Sequence, residues 1–157
     1  MGGLEQSLAW RPSGNLIAST QRLPQRHDVV FFERNGLRHG EFALPFGPRE
    51  MQVLELAWNC DSSVLAGWIV PLDTPPHGEP GAYVQLWTSS NYHWYLKQEY
   101  RFDSVKAVVW DPEAAQHLVV VTGAGTVHHY RHDMHVDCTV ALHRSNHATV
   151  AVQDGAR

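Results

Sequence analysis

Apolar residues along this chain come in short runs separated by polar turns, and three of the runs open alike. Leu8-Ala9-Trp10 leads into Arg11-Pro12-Ser13-Gly14, Leu56-Ala57-Trp58 into Asn59-Cys60-Asp61-Ser62, and Val108-Val109-Trp110 into Asp111-Pro112-Glu113. Such residues favour turns through a fixed φ, a tolerated positive φ, or side-chain bonds to nearby backbone. A second apolar run follows each turn, at residues 16–19, 64–70 and 117–122. Short, apolar and bounded by turn signals, these runs predict buried strands. A third strand is predicted at Val29-Val30-Phe31-Phe32-Glu33, at Val84-Gln85-Leu86-Trp87-Thr88 and at Val127-His128-His129-Tyr130-Arg131. Phe32, Trp87 and Tyr130 align there as one bulky aromatic position, 22, 29 and 20 residues after the leading tryptophan. The long middle spacing locates a loop insertion at residues 71–81. A fourth strand is expected at residues 37–44, at 92–102, where apolar and polar residues alternate, and within 136–142. No helical period is sustained anywhere.

Trp10, Trp58 and Trp110 recur 48 and 52 residues apart. Strand-built repeats of about 40–50 residues indicate β-propeller blades. The expected fold is therefore all-β, a partial WD40-like propeller of about three blades in a single segment. The blades fall near residues 4–46, 51–103 and 104–143. Residues 148–157, a strand followed by an Asp-Gly turn, read as the start of a further blade. The tryptophans, with Phe32, Trp87 and Tyr130, are expected to pack between neighbouring blades rather than to form a binding row. An open arc of this kind leaves strand edges and an inter-blade face unpaired.

Composition narrows the picture little. The chain has 157 residues, 43% of them hydrophobic, enough for a core, and a net charge of −4. That balance gives no electrostatic case for a nucleic-acid or membrane surface. Cys60 and Cys138 are too few for a secreted disulfide scaffold, which points to a reducing compartment. No glycosylation signal, apolar leader or membrane-length run is present, and a cytoplasmic location, with a nuclear one besides, is expected.

Candidate chemistry is sparse. His128, His129, His132, His135, Cys138, His143 and His147 form a dense group, and imidazole with thiolate suits zinc. Their spacing matches no zinc motif, and His128 and His129 should point to opposite faces of a strand, so no metal or cofactor is expected. Asp61, Asp111 and Glu113 are explained by turns, Ser62 and Ser63 lack a strand-to-helix elbow, and Gly123-Ala124-Gly125 reads as a hairpin turn. No catalytic residues are expected. His93, Tyr95, Lys97 and Arg101 are predicted to share one face of an outer strand, a mixture of cation and aromatic suited to a partner or to RNA. Arg22, Arg26 and His27 form a second small basic spot, and the loop at residues 71–81 is a further candidate contact.

One family matches the strings between the repeats. Gly14-Asn15-Leu16-Ile17-Ala18-Ser19-Thr20-Gln21 and His27-Asp28-Val29-Val30-Phe31-Phe32-Glu33 resemble the Elongator complex protein 1 (IKAP) family. So do Tyr83-Val84-Gln85-Leu86-Trp87-Thr88, Asn91-Tyr92-His93-Trp94-Tyr95-Leu96-Lys97-Gln98 and Val150-Ala151-Val152-Gln153-Asp154-Gly155. The resemblance covers nearly the whole chain in the same order.

It implies an amino-terminal WD40-type propeller segment of a large scaffold subunit that supports tRNA wobble-uridine modification. The implied partners are other Elongator subunits, with tRNA reached indirectly and no membrane. The family's helical and homodimerising regions are expected to lie outside this chain, and its chemistry belongs to another subunit. A direct tRNA-binding module and an unrelated WD40-like interaction module are the alternatives. Asp28 occupies the Asp position of a regular WD40 blade, but Ala82 or Tyr83 and then Thr126 stand in the later equivalents, and Thr88 follows Trp87. The hydrogen-bonded tetrad of such blades is therefore expected to be mostly lost, leaving packing to hold the sheets.

Overall fold

A computed structural model of the chain describes residues 4–131, 136–142 and 150–154, and every element in them is a β-strand. The first sheet holds β1 (Leu4–Trp10), β2 (Leu16–Arg22), β3 (His27–Glu33) and β4 (Arg38–Ala43) in that order. The second holds β5 (Met51–Trp58), β6 (Leu65–Pro71), β7 (Ala82–Ser90) and β8 (His93–Phe102). The third holds β9 (Val105–Trp110), β10 (His117–Thr122), β11 (Thr126–Arg131), β12 (Val136–Leu142) and β13 (Val150–Asp154). All pairings are antiparallel between chain neighbours.

The same turn closes the first hairpin of each sheet: Arg11 N donates to Leu16 O, Asn59 N to Val64 O, and Asp111 N to His117 O. Gly14 and Ser62 hold equivalent places in the first two turns, both at positive φ (78° and 66°). Leading strands lie side by side, β1 against β5 and β5 against β9. The other strands step outward from them, which is the radial layout of propeller blades.

The fourth strand carries an extra residue at the same place in each sheet. The register slips between Phe31 and Phe32, between Leu86 and Trp87, and between His129 and Tyr130. The unpaired residues are His39, Lys97 and Asp137, each opposite the bulky aromatic. A bulge of this kind bends the strand and re-aims the side chains beyond it.

One correction concerns residues 150–154. Expected to open another blade, they instead pair with β12, Cys138 opposite Asp154 through Leu142 opposite Val150, and so extend the third sheet.

Two cores lie between the sheets. Ala9, Ala18, Val29 and Phe31 of the first sheet meet Leu56, Trp58, Leu65 and Trp87 of the second. Phe31 stacks on Trp94 at 4.5 Å, and Phe42 lies 5.2 Å from Trp87. Ala66, Val84 and Leu86 of the second sheet meet Trp110, Leu118, Val120 and Tyr130 of the third. Tyr100 stacks on Tyr130 at 3.9 Å, and burial pushes the Tyr130 phenol up to about 12.

Candidate interaction surfaces

The repeated tryptophan makes the same bond at both sheet junctions. Trp58 Nε1 donates to Ala9 O at 3.1 Å, and Trp110 Nε1 donates to Ala57 O at 2.9 Å. Each indole thus reaches the carbonyl just before the preceding sheet's tryptophan, across a small alanine that permits close approach. A second contact runs the other way. Arg11 donates from Nε and Nη2 to Ser62 O at 3.1 and 2.9 Å, and Asn59 Nδ2 donates to Ala115 O at 3.0 Å. The residue after each tryptophan therefore holds the next sheet's turn. As expected, Trp58, Trp110, Trp87 and Tyr130 are buried, but Trp10 is 58% exposed and Phe32 is half-buried. Burial of this position comes from the sheet in front, and among the described residues nothing fills that place for the first sheet.

The first junction also carries a polar network. Thr20 Oγ1 donates to Glu5 Oε2 at 2.6 Å, and His27 Nε2 lies 2.6 Å from the same oxygen. Arg22 Nη2 pairs with Glu5 Oε1 at 3.1 Å and also donates to Met51 O at 2.8 Å, while Arg22 Nη1 donates to Pro48 O. The basic spot read from Arg22, Arg26 and His27 is thereby corrected. Two of the three are committed to Glu5, and Arg26 lies 2.9 Å from Asp28. Asp28 points to the opposite sheet face and takes no part in the network. Its Oδ1 has no hydrogen-bond partner, and the Arg26 approach to Oδ2 is a charge contact without hydrogen-bond alignment. Burial, only partly offset by the Arg26 charge, pushes the Asp28 carboxyl up.

Burial also pushes the Glu5 carboxyl up, but bonds from Thr20 and His27 and the charges of His27 and Arg22 outweigh it, and the net lies below its ordinary 4.5. A carboxylate held low in the fold stabilises it fully above the unfolded value, and the contribution fades as pH falls through the folded one. Glu5→Gln is therefore expected to flatten the loss of melting temperature between about pH 6 and about pH 3. An unchanged pH dependence would show that the network is not coupled to folding.

The predicted face on β8 is not a face. His93 and Tyr95 pair with Ser90 and Thr88, whereas Arg101 pairs with Tyr83 beyond the bulge. Lys97 is the bulged residue itself. Trp94 and Arg101 therefore turn toward the first sheet, while Tyr100 and Phe102 pack toward the third. Arg101 pairs with Glu99 at 3.1 Å and lies over the Tyr83 ring at 5.9 Å. His93 and Tyr95 remain exposed on the other side. The four residues are split among three directions.

Among the described residues no three His, Cys, Asp or Glu side chains converge. His128 pairs opposite Val120 and His129 opposite Val119, on opposite sheet faces. His132, His135, His143, His147 and the Cys138 side chain lie outside the described residues. The Gly123-Ala124-Gly125 segment is a hairpin turn, Gly125 at φ 84° donating to Thr122 O. The sequence did not flag the turn Asn91-Tyr92. Both residues have positive φ, 49° and 67°, and Tyr92 is 97% exposed. That turn type favours Asn-Gly, and a tyrosine in the glycine place is the signal that could have marked it. The loop at residues 71–81 lies against Arg49, Glu50 and Tyr83 as a shallow proline-lined groove.

Four- and five-stranded sheets set radially and joined at a recurring indole define a WD40-like β-propeller segment. The comparisons resolve the class. Residues 1–113 match the family model for the ELP1 first N-terminal beta-propeller. The chain is 50% identical over 123 residues to putative elongator complex protein 1 of Xenopus laevis, covering 75% of this chain and 10% of that one. It is 44% identical over 160 residues to elongator complex protein 1 of Oryctolagus cuniculus, covering 99% and 12%. The Saccharomyces cerevisiae protein is 45% identical over 116 residues, covering 71% and 8%. The crystal structure of Saccharomyces cerevisiae Sqt1 superposes with a TM-score of 0.53 at 8% identity, over 93% of this chain and 33% of that one, and shows the fold alone. The chain belongs to the Elongator complex protein 1 family. It spans about a tenth of the length of these relatives.

Proposed function

We propose that the chain is a non-catalytic scaffold segment of the Elongator complex, acting by presenting rigid blades to other Elongator subunits. Through those contacts it supports tRNA wobble-uridine modification, in the cytoplasm. The observation that carries this reading is that several of the charged and aromatic groups suited to chemistry are spent on structure. Glu5, Arg22 and His27 are tied together at the first junction, Arg101 is tied to Glu99, and Trp58 and Trp110 couple sheets. What the blades leave for partners is their turns, chiefly Asn91-Tyr92 and the loop at residues 71–81.

Two measurements on the whole chain test it. Immobilised chain is expected to retain purified Elongator subunits, and filter binding with tRNA across a salt series is expected to show no retention with a steep salt slope. Saturable tRNA binding whose logarithm falls linearly with the logarithm of salt would replace this reading with that of a direct tRNA-binding module.

A further inference from the structure

The inserted loop at residues 71–81 is pinned at both ends and left free between. Leu72 N donates to Glu50 O and Gly81 N donates to Phe102 O, each at 3.0 Å, and within the loop Glu79 N donates to Pro76 O at 3.0 Å. Asp73 and Thr74, between these pins, make no hydrogen bond or ion pair among the described residues. Both are exposed, and neither belongs to a strand. A protein that grips this segment therefore breaks no bond of the fold.

Thr74 is followed by Pro75, and no other serine or threonine in the sequence precedes a proline. The ring of Pro75 biases Thr74 toward an extended backbone, and Pro75 offers no N–H. Proline-directed kinases select that arrangement, because the wall beside their acceptor residue is apolar and gives an N–H no partner. Other hydroxyls are less available. Ser13, Ser63 and Thr122 are held in turns by their own hydrogen bonds, and Ser19 and Thr20 are buried.

The groove along the loop supplies a counter-ion. Arg49 lines it together with Thr74, Pro75 and Tyr83. Arg49 is exposed and makes no hydrogen bond or ion pair among the described residues. Its backbone is nevertheless held on both sides, because Arg22 donates to Pro48 O and to Met51 O. A guanidinium fork can receive a phosphate through two parallel bonds. Glu50, Asp73 and Glu79 line the same groove and oppose an anion, although Glu50 already accepts from Gly47 N.

We propose that Thr74 is a phosphorylation site for a proline-directed kinase, with Arg49 as the cation that holds the added phosphate against the groove. The kinase moves the γ-phosphoryl group of ATP to Thr74 Oγ1. The bond from that phosphorus to the β-phosphate oxygen breaks, ADP leaves with the oxygen, and the hydroxyl proton passes to the kinase's catalytic aspartate. The loop gains a charge of about −1.5 to −2 near pH 7. The transfer does not depend on what the loop meets in a complex.

Incubation of the whole chain with magnesium, ATP and a purified proline-directed kinase tests this. Intact mass is expected to show one phosphate per chain, and fragment spectra to place it on Thr74. A lost pocket contact of this size is worth about 10–200-fold in rate, so Pro75→Ala should slow incorporation at least about tenfold. Thr74→Val should abolish it. Thr74 is exposed and Pro75 half-buried, so both variants are expected to keep the wild-type melting profile. No incorporation while a Thr-Pro control peptide is phosphorylated, an unchanged rate in Pro75→Ala, or full incorporation in Thr74→Val overturns the site. Arg49 is read separately by a phosphorus NMR titration of the phosphorylated chain. The second phosphate pKa, about 6 when free, should rise in Arg49→Gln relative to the unaltered chain, because a facing cation favours the dianion. Glu50, Asp73 and Glu79 act alike in both proteins, so equal midpoints overturn the role of Arg49.

Discussion

Replacing Trp87 with alanine is expected to lower the unfolding free energy by about 3–5 kcal/mol, the range for truncating a buried large aromatic. Trp87 is 2% exposed and sits at the centre of the first junction. Its strand partner across the sheet is Leu65, and Phe42 lies 5.2 Å from its ring. Removing the indole opens a void bordered by rings that are themselves interlocked. Phe42 also touches Phe31 and Trp94, and Trp58 lies 5.9 Å from Trp94. No small shift of one ring can fill the space, which places the loss toward the upper end. Urea denaturation of the dilute chain measures it. Trp10→Ala serves as the contrast, since a residue 58% exposed should change the midpoint little. A Trp87→Ala loss below about 1 kcal/mol would mean that the junction is not packed as described.

Gly67→Ala should cost about 1–3 kcal/mol, the usual penalty for overfilling a tight core. A Cβ on Gly67 would stand 2.2 Å from Trp87 Cη2 and 2.4 Å from Cζ3, distances that no relaxed structure holds. The absence of a side chain there lets the edge of the indole come close to the β6 backbone. The obstruction is the ring itself, so the penalty should shrink in a Trp87→Leu background, and the two changes should couple strongly. Strictly additive losses would place the cause elsewhere, in the backbone rather than in the contact.

The strand order and the aromatic positions were readable because a repeated unit repeats its packing, so three imperfect copies reinforce one another. Trp10 shows the limit of that logic. Its sequence context equals that of Trp58 and Trp110, yet its exposure is set by the neighbour in front, which local pattern does not encode. The outer strand of the second sheet shows another limit. Trp94, Leu96, Tyr100 and Phe102 all fall on even positions and read as one buried face. The bulge at Lys97 sends Trp94 to one core and Tyr100 and Phe102 to the other, and an extra residue leaves no mark on an alternating pattern when both sides are apolar. The Glu5 network was hidden for a different reason. Glu5, Thr20 and His27 are far apart in sequence and individually ordinary, and only the β1–β2–β3 pairing gathers them.

The indole-to-carbonyl bonds also fix how the chain would bear tension. Among the described residues the main contacts between sheets join neighbours, β1 and β2 to β5 and β5 to β9, so the two junctions act as links in series. The link between the first and second sheets is braced by the aromatic cluster, by Arg11 on Ser62 O and by Arg22 on Met51 O. The link between the second and third has Trp110 on Ala57 O and Asn59 on Ala115 O, with a smaller stack of rings. A force that separates the sheets from one another would part the second link first, while the first two sheets stay clasped.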